Sequence, residues 1–316
     1  MANHHPLSLM FIVILTLETI YGVSTNFFII FFIYSFYING LDKSVSNKII
    51  LVLSVSNVLY ACVSYINILF FYFDPIVFLK TSITPAVFVF AMFIITSSSW
   101  LTACLCVFYF MKIKTFRSGF LLRLKTKVSS TIPWMILMSE LVSVVTATMN
   151  ILEFIENDNT PKNISLVQLA MMTASSNGIF ANNLYISFVC SCVPFLISVV
   201  ATGATVWSLN KHSKKMEKKH TKTSTGFNVK AYENTIKNMI RLLIFYAIFY
   251  VTLFLFYFNL FAANTTGFWI FLVVIFQYAP VQSTILILAN AKLKKSWMKI
   301  FCHHVTSTRD KKSSNE

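Results

Sequence analysis

Glu18, Gly22 and Asn26 stand at i, i+4 and i+8 within an apolar run, so on a helix they share one stripe: a carboxyl, a gap and an amide. Such a stripe suits two kinds of chemistry. It can hold interhelical hydrogen bonds that fix packing, or it can be a step in a proton or ion pathway. Asn57, Asn67 and Asn290 are of the right type to join the same network. A pathway needs several ionisable groups along its length, and Glu140 is the other acid inside the apolar runs, so packing is the favoured reading. Catalytic patterns are missing. His4, His5, His212, His220, His303 and His304 lie outside the apolar runs, and neither a His–x–x–x–His nor a Cys–x–x–Cys set occurs. The 7 glycines build no phosphate-cradling loop. Neither a metal, a cofactor nor an enzymatic activity is expected.

The elements that position these residues are set by composition. Apolar residues make up 56% of the 316-residue chain and charged residues 12%, about half the usual globular share. A helix crosses a bilayer with about 20 apolar residues. Seven stretches qualify: Leu9–Tyr37, Ile49–Phe73, Ile83–Met111, Val128–Leu152, Leu184–Leu209, Asn238–Ala262 and Phe268–Ala289. The expected fold is therefore all-α, a polytopic bundle of seven transmembrane helices over 1–290, followed by a short basic tail over 291–316.

Cationic residues between the runs orient the bundle. The segment around Asp42 holds Lys43 and Lys48, Lys112 to Lys127 holds six basic residues, Lys211 to Arg241 nine, and the chain after Asn290 seven. Basic residues in short loops stay on the cytoplasmic side, so alternate loops and the tail are expected inside and the N-terminus outside. Few residues precede the first run and none is basic, which fits an uncleaved signal-anchor helix better than a cleaved signal peptide. The net charge of +15 is then topological and faces anionic lipid of the bilayer's inner leaflet; nucleic acid is not an expected partner.

Outside the apolar runs, Asn163-Ile164-Ser165 is an acceptor for N-linked sugar on the loop expected outside. Asn264-Thr265-Thr266 is a second match that hugs the membrane. Cys62, Cys104, Cys106, Cys190 and Cys192 fall inside runs, so no extracellular disulfide framework is expected, and Cys302, close behind the last run with basic neighbours, is a candidate for palmitoylation.

The third run ends in Trp100-Leu101-Thr102-Ala103-Cys104-Leu105-Cys106-Val107-Phe108-Tyr109-Phe110-Met111-Lys112-Ile113, followed by Phe116 and Phe120-Leu121-Leu122-Arg123-Leu124-Lys125. This ending resembles that of the type 2 bitter taste receptors, a family of G-protein-coupled receptors. Similar marks run along the chain: Glu18, Gly22 and Asn26 in the first helix; Pro194-Phe195, Ser198, Ser208-Leu209, His212 and Met216 in and after the fifth; Lys237 and Tyr246 in the sixth; Asn290-x-Lys292-Leu293-Lys294 after the seventh; and Asn163 in the second outside loop. Departures are specific. Asn57 stands where the family usually has Arg, Gln282-Ser283 replaces a His-Ser pair, and Tyr232 and Thr235 replace a His and an Ala. Ala91 occupies a place where many members carry Trp in the ligand pocket, which implies a wider pocket.

The resemblance implies a plasma-membrane receptor for small bitter compounds. Candidate ligand contacts are Met92, Ile95, Thr96, Ile186, Cys190, Tyr250, Leu272 and Ile275. A pocket so poor in charge favours micromolar or weaker agonists, about −8 kcal/mol at best. A heterotrimeric G protein of the taste type is implied at the inner end, near Tyr109, Lys112, Lys125, His212, Lys215 and Lys237. Pairing into a receptor oligomer stays open. Two other readings remain at this point: a vomeronasal type 1-like pheromone receptor, against which the Phe-Tyr-Phe-x-Lys-Ile ending argues, and a small seven-span transporter.

Overall fold

Lipid offers no hydrogen bonds to a backbone, so a segment that crosses it must close its N–H and C=O groups internally, as a helix does. The computed structural model describes residues 6–40, 45–73, 83–113, 128–157, 190, 192–208, 226–257 and 265–300. Among these residues all regular structure is helical: α1 (Pro6–Ile38), α2 (Val45–Phe73), α3 (Ile83–Ile113), α4 (Val128–Asn157), α5 (Cys192–Ser208), α6 (Gly226–Tyr257), α7 (Thr266–Phe276), α8 (Tyr278–Ala289) and α9 (291–300). Helices α7 and α8 together form the seventh span. Four helices carry apolar stretches long enough to cross a bilayer, and Pro133–Met149, Cys192–Ser208 and Ile240–Leu253 are shorter apolar helices, which completes the expected seven-helix bundle.

Boundaries differ from expectation mainly at the ends. Helix α6 begins at Gly226 instead of Asn238, and α1 runs 33 residues, about 50 Å at 1.5 Å per residue, which exceeds a hydrocarbon core of about 30 Å. Hydrophobicity marks only the stretch inside lipid, whereas polar residues continue the same hydrogen-bond ladder into water. The last span is also not a single rod. It breaks at Gln277, and Pro280, which has no N–H, cannot return a bond to the Phe276 carbonyl.

The bundle buries polar groups and exposes apolar ones, the inverse of a soluble protein. Phe31, Phe73 and Val200 are each more than 65% exposed, while Thr25, Asn26, Asn57, Ser98, Gln282 and Ser283 are 1% exposed or less. Many interior hydroxyls are satisfied within their own helix, as Thr19 Oγ1 is by donating to Leu15 O (2.8 Å) and Ser198 Oγ to Pro194 O (2.8 Å). Helix α3 lies between α2 and α4, α1 packs on α2 and α8, and α6 packs on α7 and α8. The tightest approach is at Gly22: a Cβ there would stand 3.0 Å from Pro280 Cδ and 3.4 Å from Ala279 Cβ. Small residues let two backbones close in this way.

Candidate functional site

Helices α3 and α5 meet α6 around Tyr250. Burial of Ile95 (α3), Tyr250 and Ile275 (α7) places them in one apolar cluster with Tyr60, Phe249 and Tyr278. The Tyr250 hydroxyl and Ser99 Oγ are hydrogen-bonded, and Phe195 of α5 stands edge-on to the Tyr250 ring, centroids 5.6 Å apart. Helices α3 and α5 thus both contact the side chain of Tyr250. Met92 and Thr96 are buried on the same helix as Ile95, and Ala91 is half-buried beside them. Leu272 goes elsewhere, packing with Phe11, Leu15 and Trp269 towards α1, and Cys190 is half-buried ahead of α5. Ile186 lies outside the described residues. Ser99 and Phe195 were not among the residues proposed from sequence, although Ser99 stands one turn after Ile95 and so on the same face.

One turn further in lies a neutral polar layer. Thr102 (α3), Tyr246 (α6) and Gln282 (α8) form a ring: Thr102 Oγ1 to Tyr246 OH is 2.7 Å, Gln282 Nε2 donates to Thr102 Oγ1 at 3.3 Å, and Gln282 Nε2 also donates to Tyr246 OH. Tyr278 OH stands 3.5 Å from Tyr246 OH. On the α1 side, Asn57 Nδ2 donates to Asn26 Oδ1 (3.2 Å), Asn26 Nδ2 donates to Gly22 O (2.7 Å) and Ala279 O (3.3 Å), and Thr25 Oγ1 meets Ser283 Oγ at 2.7 Å. Carboxamides and hydroxyls each donate and accept, so such a layer joins five helices without burying a charge. In the sequence Gln282 and Ser283 stand out only as departures from a pattern; each follows a buried residue by four positions, Tyr278 and Ala279 respectively, and so lies on the interior face.

The structure divides the polar residues of the Glu18 stripe and their candidate partners among separate contacts. Asn26 and Asn57 are bonded directly. Glu18 takes a bond from Gln277 Nε2 (3.2 Å) at the break in the last span, and Asn290 Nδ2 donates to Asn47 Oδ1 (3.1 Å) where α8 ends. The other membrane carboxyl, Glu140, accepts from Ser97 Oγ (2.7 Å) between α3 and α4. The two acids therefore occupy separate helix interfaces. Cys104 and Cys106, two residues apart, likewise face different neighbours, Cys104 the α1–α2 side cluster and Cys106 Ala201 of α5. No group of three metal-binding side chains occurs among the described residues.

At the end of the bundle where α3 finishes, Tyr109 is half-buried and Lys112 is exposed with Nζ 5.9 Å from the Phe108 ring centre, a cation–π geometry. Lys237 is exposed on α6. Lys125, His212, Lys215, Asn163, Asn264 and Cys302 lie outside the described residues, as do the side chains of Tyr232 and Thr235. Asn290 terminates α8 in an extended conformation and begins α9, its Oδ1 accepting from the N–H groups of Lys292 (3.1 Å) and Leu293 (3.4 Å). One side chain thus ends the last span, starts the next helix and ties both to α2.

Comparison with known proteins accounts for this arrangement. The family model described as taste receptor protein (TAS2R) matches residues 1–305. Human taste receptor type 2 member 2 is 28% identical over 247 residues, covering 73% of this chain and 75% of that protein. Human taste receptor type 2 member 39 is 24% identical over 305 residues, 91% of this chain and 85% of that protein, and the chicken taste receptor type 2 member 40 is 27% identical over 225 residues, 68% and 69% respectively. These relatives are receptors and not enzymes, and the match spans the whole helical bundle. The chain belongs to the TAS2R family of taste receptors.

Proposed function

We propose that this bitter taste receptor takes small, mostly apolar agonists from outside the cell into the crevice around Tyr250 and passes the signal through the Thr102–Tyr246–Gln282 ring to a G protein inside. The observation that carries the reading is the stacking of the two sites. Tyr250 and Tyr246 are one turn apart on α6, and their partners Ser99 and Thr102 are one turn apart on α3. A ligand that prises Ser99 from Tyr250 therefore acts on the same helix pair that the polar ring holds together. Met92, Ile95, Thr96, Ile275 and the half-buried Ala91 supply apolar wall, with Ile186, Cys190 and Leu272 as further candidates. Ligand that prefers one arrangement of α3 and α6 shifts the population of an inner cleft. A heterotrimeric G protein of the taste type docks at the cytosolic end, with Tyr109, Lys112, Lys125, His212, Lys215 and Lys237 as the candidate contacts.

The orientation puts the N-terminus outside, Asn163 glycosylated and the basic tail in the cytosol. The receptor unit is 1–290, with 291–316 behind it. A tag after Glu316 is expected to bind antibody only in permeabilised cells; staining of intact cells would reverse the topology. Function is tested in cells carrying a taste-type G protein and a calcium readout, challenged with a structurally diverse panel of bitter compounds. At least one agonist response that Tyr250→Ala weakens about thirtyfold or more is expected, since a buried anchor of this size contributes about 2 kcal/mol or more. A response equal in the variant at matched surface expression would remove Tyr250 from the binding crevice.

A further inference from the structure

The last span is held to α1 by two kinds of contact, which change over at the break. On the α8 side they are hydrogen bonds. Asn26 Nδ2 donates to Ala279 O (3.3 Å), Thr25 Oγ1 meets Ser283 Oγ at 2.7 Å, and Tyr21 OH meets Thr284 Oγ1 at 3.1 Å. The close approach of Gly22 to Pro280 lies among them. On the α7 side they are apolar: Trp269 stacks on Phe11 with ring centroids 6.0 Å apart and shares a cluster with Ile12, Leu15 and Leu272. Hydrogen bonds fix distance and angle, whereas apolar faces slide over each other at little cost. Helix α8 is therefore set on α1 as one frame, and α7 is the half that can tilt. The backbone can give at the joint, because Pro280 leaves the Phe276 carbonyl without its usual donor.

One side-chain bond stands at this joint. Gln277 Nε2 donates to Glu18 Oε1 at 3.2 Å, and both residues lie within apolar spans, where little water competes for the bond. Glu18 is half-buried, its second oxygen is buried and has no partner among the described residues, and Gln277 is exposed. Ile275, two residues before Gln277, lies on another side of α7 and packs in the Tyr250 cluster. Tyr278, the residue after Gln277, meets the rings of Phe249 at 4.5 Å and Tyr246 at 5.9 Å, so a moving joint bears directly on α6. We propose that α7 is a lever, tilted by agonist that bears on Ile275, and that Glu18 and Gln277 are the positioning pair that holds it in its resting tilt. The lever rests on the crevice reading given above, since Ile275 borders that crevice. The pair is tested without ligand, so the two can fail separately.

The test reads inositol phosphate accumulation without ligand, in cells carrying a taste-type G protein and the full chain at matched surface expression. Glu18→Leu and Gln277→Leu are each expected to raise this basal signal about two- to tenfold, the range for one interhelical hydrogen bond in a membrane. The double variant is expected to rise no further than either alone, because both remove one bond. It is also expected to keep the thermal unfolding midpoint, because it leaves neither group unpaired. Glu18→Gln, whose amide oxygen accepts the same bond, is expected to return the basal signal of the unchanged receptor. Spin labels on unnatural amino acids at Val13 of α1 and Ile270 of α7, both exposed, are expected to shift by roughly 2 Å in Gln277→Leu. A pair at Phe31 of α1 and Leu288 of α8 is expected to stay in place. Unchanged basal signal in both leucine variants overturns the proposal, as do additive effects or a Glu18→Gln variant that behaves like Glu18→Leu. So does a Phe31–Leu288 pair that shifts as far as Val13–Ile270, since α8 would then tilt too. Silent leucine variants beside a Tyr250→Ala loss of agonist response strike the lever and spare the crevice; the reverse pattern spares the joint and strikes the crevice. Where Glu18→Leu does not reach the surface, Gln277→Leu carries the test, because its side chain is exposed. Where neither does, a Val13–Ile270 distance distribution as narrow as the Phe31–Leu288 one in the otherwise unchanged receptor overturns the lever.

Discussion

Replacing Tyr246 by Phe removes one oxygen from the centre of the bundle and leaves the ring in place. That oxygen touches Thr102 Oγ1 at 2.7 Å, receives a bond from Gln282 Nε2 and lies 3.5 Å from Tyr278 OH, in a side chain only 3% exposed. The long contact to Tyr278 contributes little. The other two are worth about 0.5–1.5 kcal/mol each, towards the low end within membranes. Gln282 Nε2 keeps Thr102 as a partner at 3.3 Å, which offsets part of the loss. The phenyl ring keeps its stacking on Tyr250, centroids 6.2 Å apart, and its edge-on contact with Tyr278 at 5.9 Å, so packing changes little. The tie between α3 and α6 is then weakened by about 1–2 kcal/mol. Any opening of an inner cleft between these helices has to stretch that tie, so the active population rises roughly five- to thirtyfold, since 1.4 kcal/mol is tenfold. The assay is inositol phosphate accumulation without agonist, at surface expression matched to the unchanged receptor. Higher basal signal and a lower agonist concentration for half response are expected. Thr102→Val is expected to act in the same direction, and the double variant by less than the sum, because both remove the same bond. Unchanged basal signal and agonist response in a well-expressed Phe variant would refute the reasoning, as would strict additivity with Thr102→Val.

Gly22→Ala is expected to destabilise the detergent-solubilised receptor by about 1–3 kcal/mol, read as a lower thermal unfolding midpoint, because its Cβ would press on the Pro280 ring 3.0 Å away. Asn290→Ala removes the cap of α9 and the bond to Asn47, and a loss of about 1–2 kcal/mol in the same measurement is expected; no shift would mean that the cap carries no stability. Ala91→Trp adds a large aromatic surface to a half-buried position on α3, so bulky agonists are expected to lose potency about tenfold or more while small ones keep theirs. Lys112→Ala with Lys125→Ala is expected to weaken coupling several-fold with surface expression intact, and equal agonist responses at equal expression would remove these lysines from the docking surface.

How far the residues foretold the structure differs from one feature to the next. The run from Ile83 to Met111 reads as a membrane helix because nothing in it except length and apolarity is needed to make that state the best one, and the observed helix ends two residues later at Ile113. The stripe Glu18, Gly22 and Asn26 also reads correctly as one helix face, since 3.6-residue periodicity is local. The partners on that stripe did not follow. Gln277 stands opposite Glu18 because the last span breaks beside it, and Ala279 O receives the Asn26 amide because Gly22 admits Pro280 to within contact. Asn290, similar in type to Asn57, serves another layer altogether. Helix α9 was expected only as a basic tail, because a two-to-three-turn helix leaves too short a pattern; what orders it is Leu293 and Trp297 finding the inner cluster.

Sequence alone determined that the chain crosses the bilayer as a bundle of helices, and where each crossing lies. Transfer of apolar side chains into lipid and the closure of backbone hydrogen bonds depend on one segment at a time. Only the tertiary structure decided which polar side chains meet, how the Ser99–Tyr250 pair stacks on the Thr102–Tyr246–Gln282 ring, and how α9 docks against α1. Several of those pairings join residues more than a hundred positions apart, as Thr102–Tyr246 and Asn47–Asn290 do, and their geometry depends on helix rotation and on the break at Gln277. Neither is set by any short stretch of the chain.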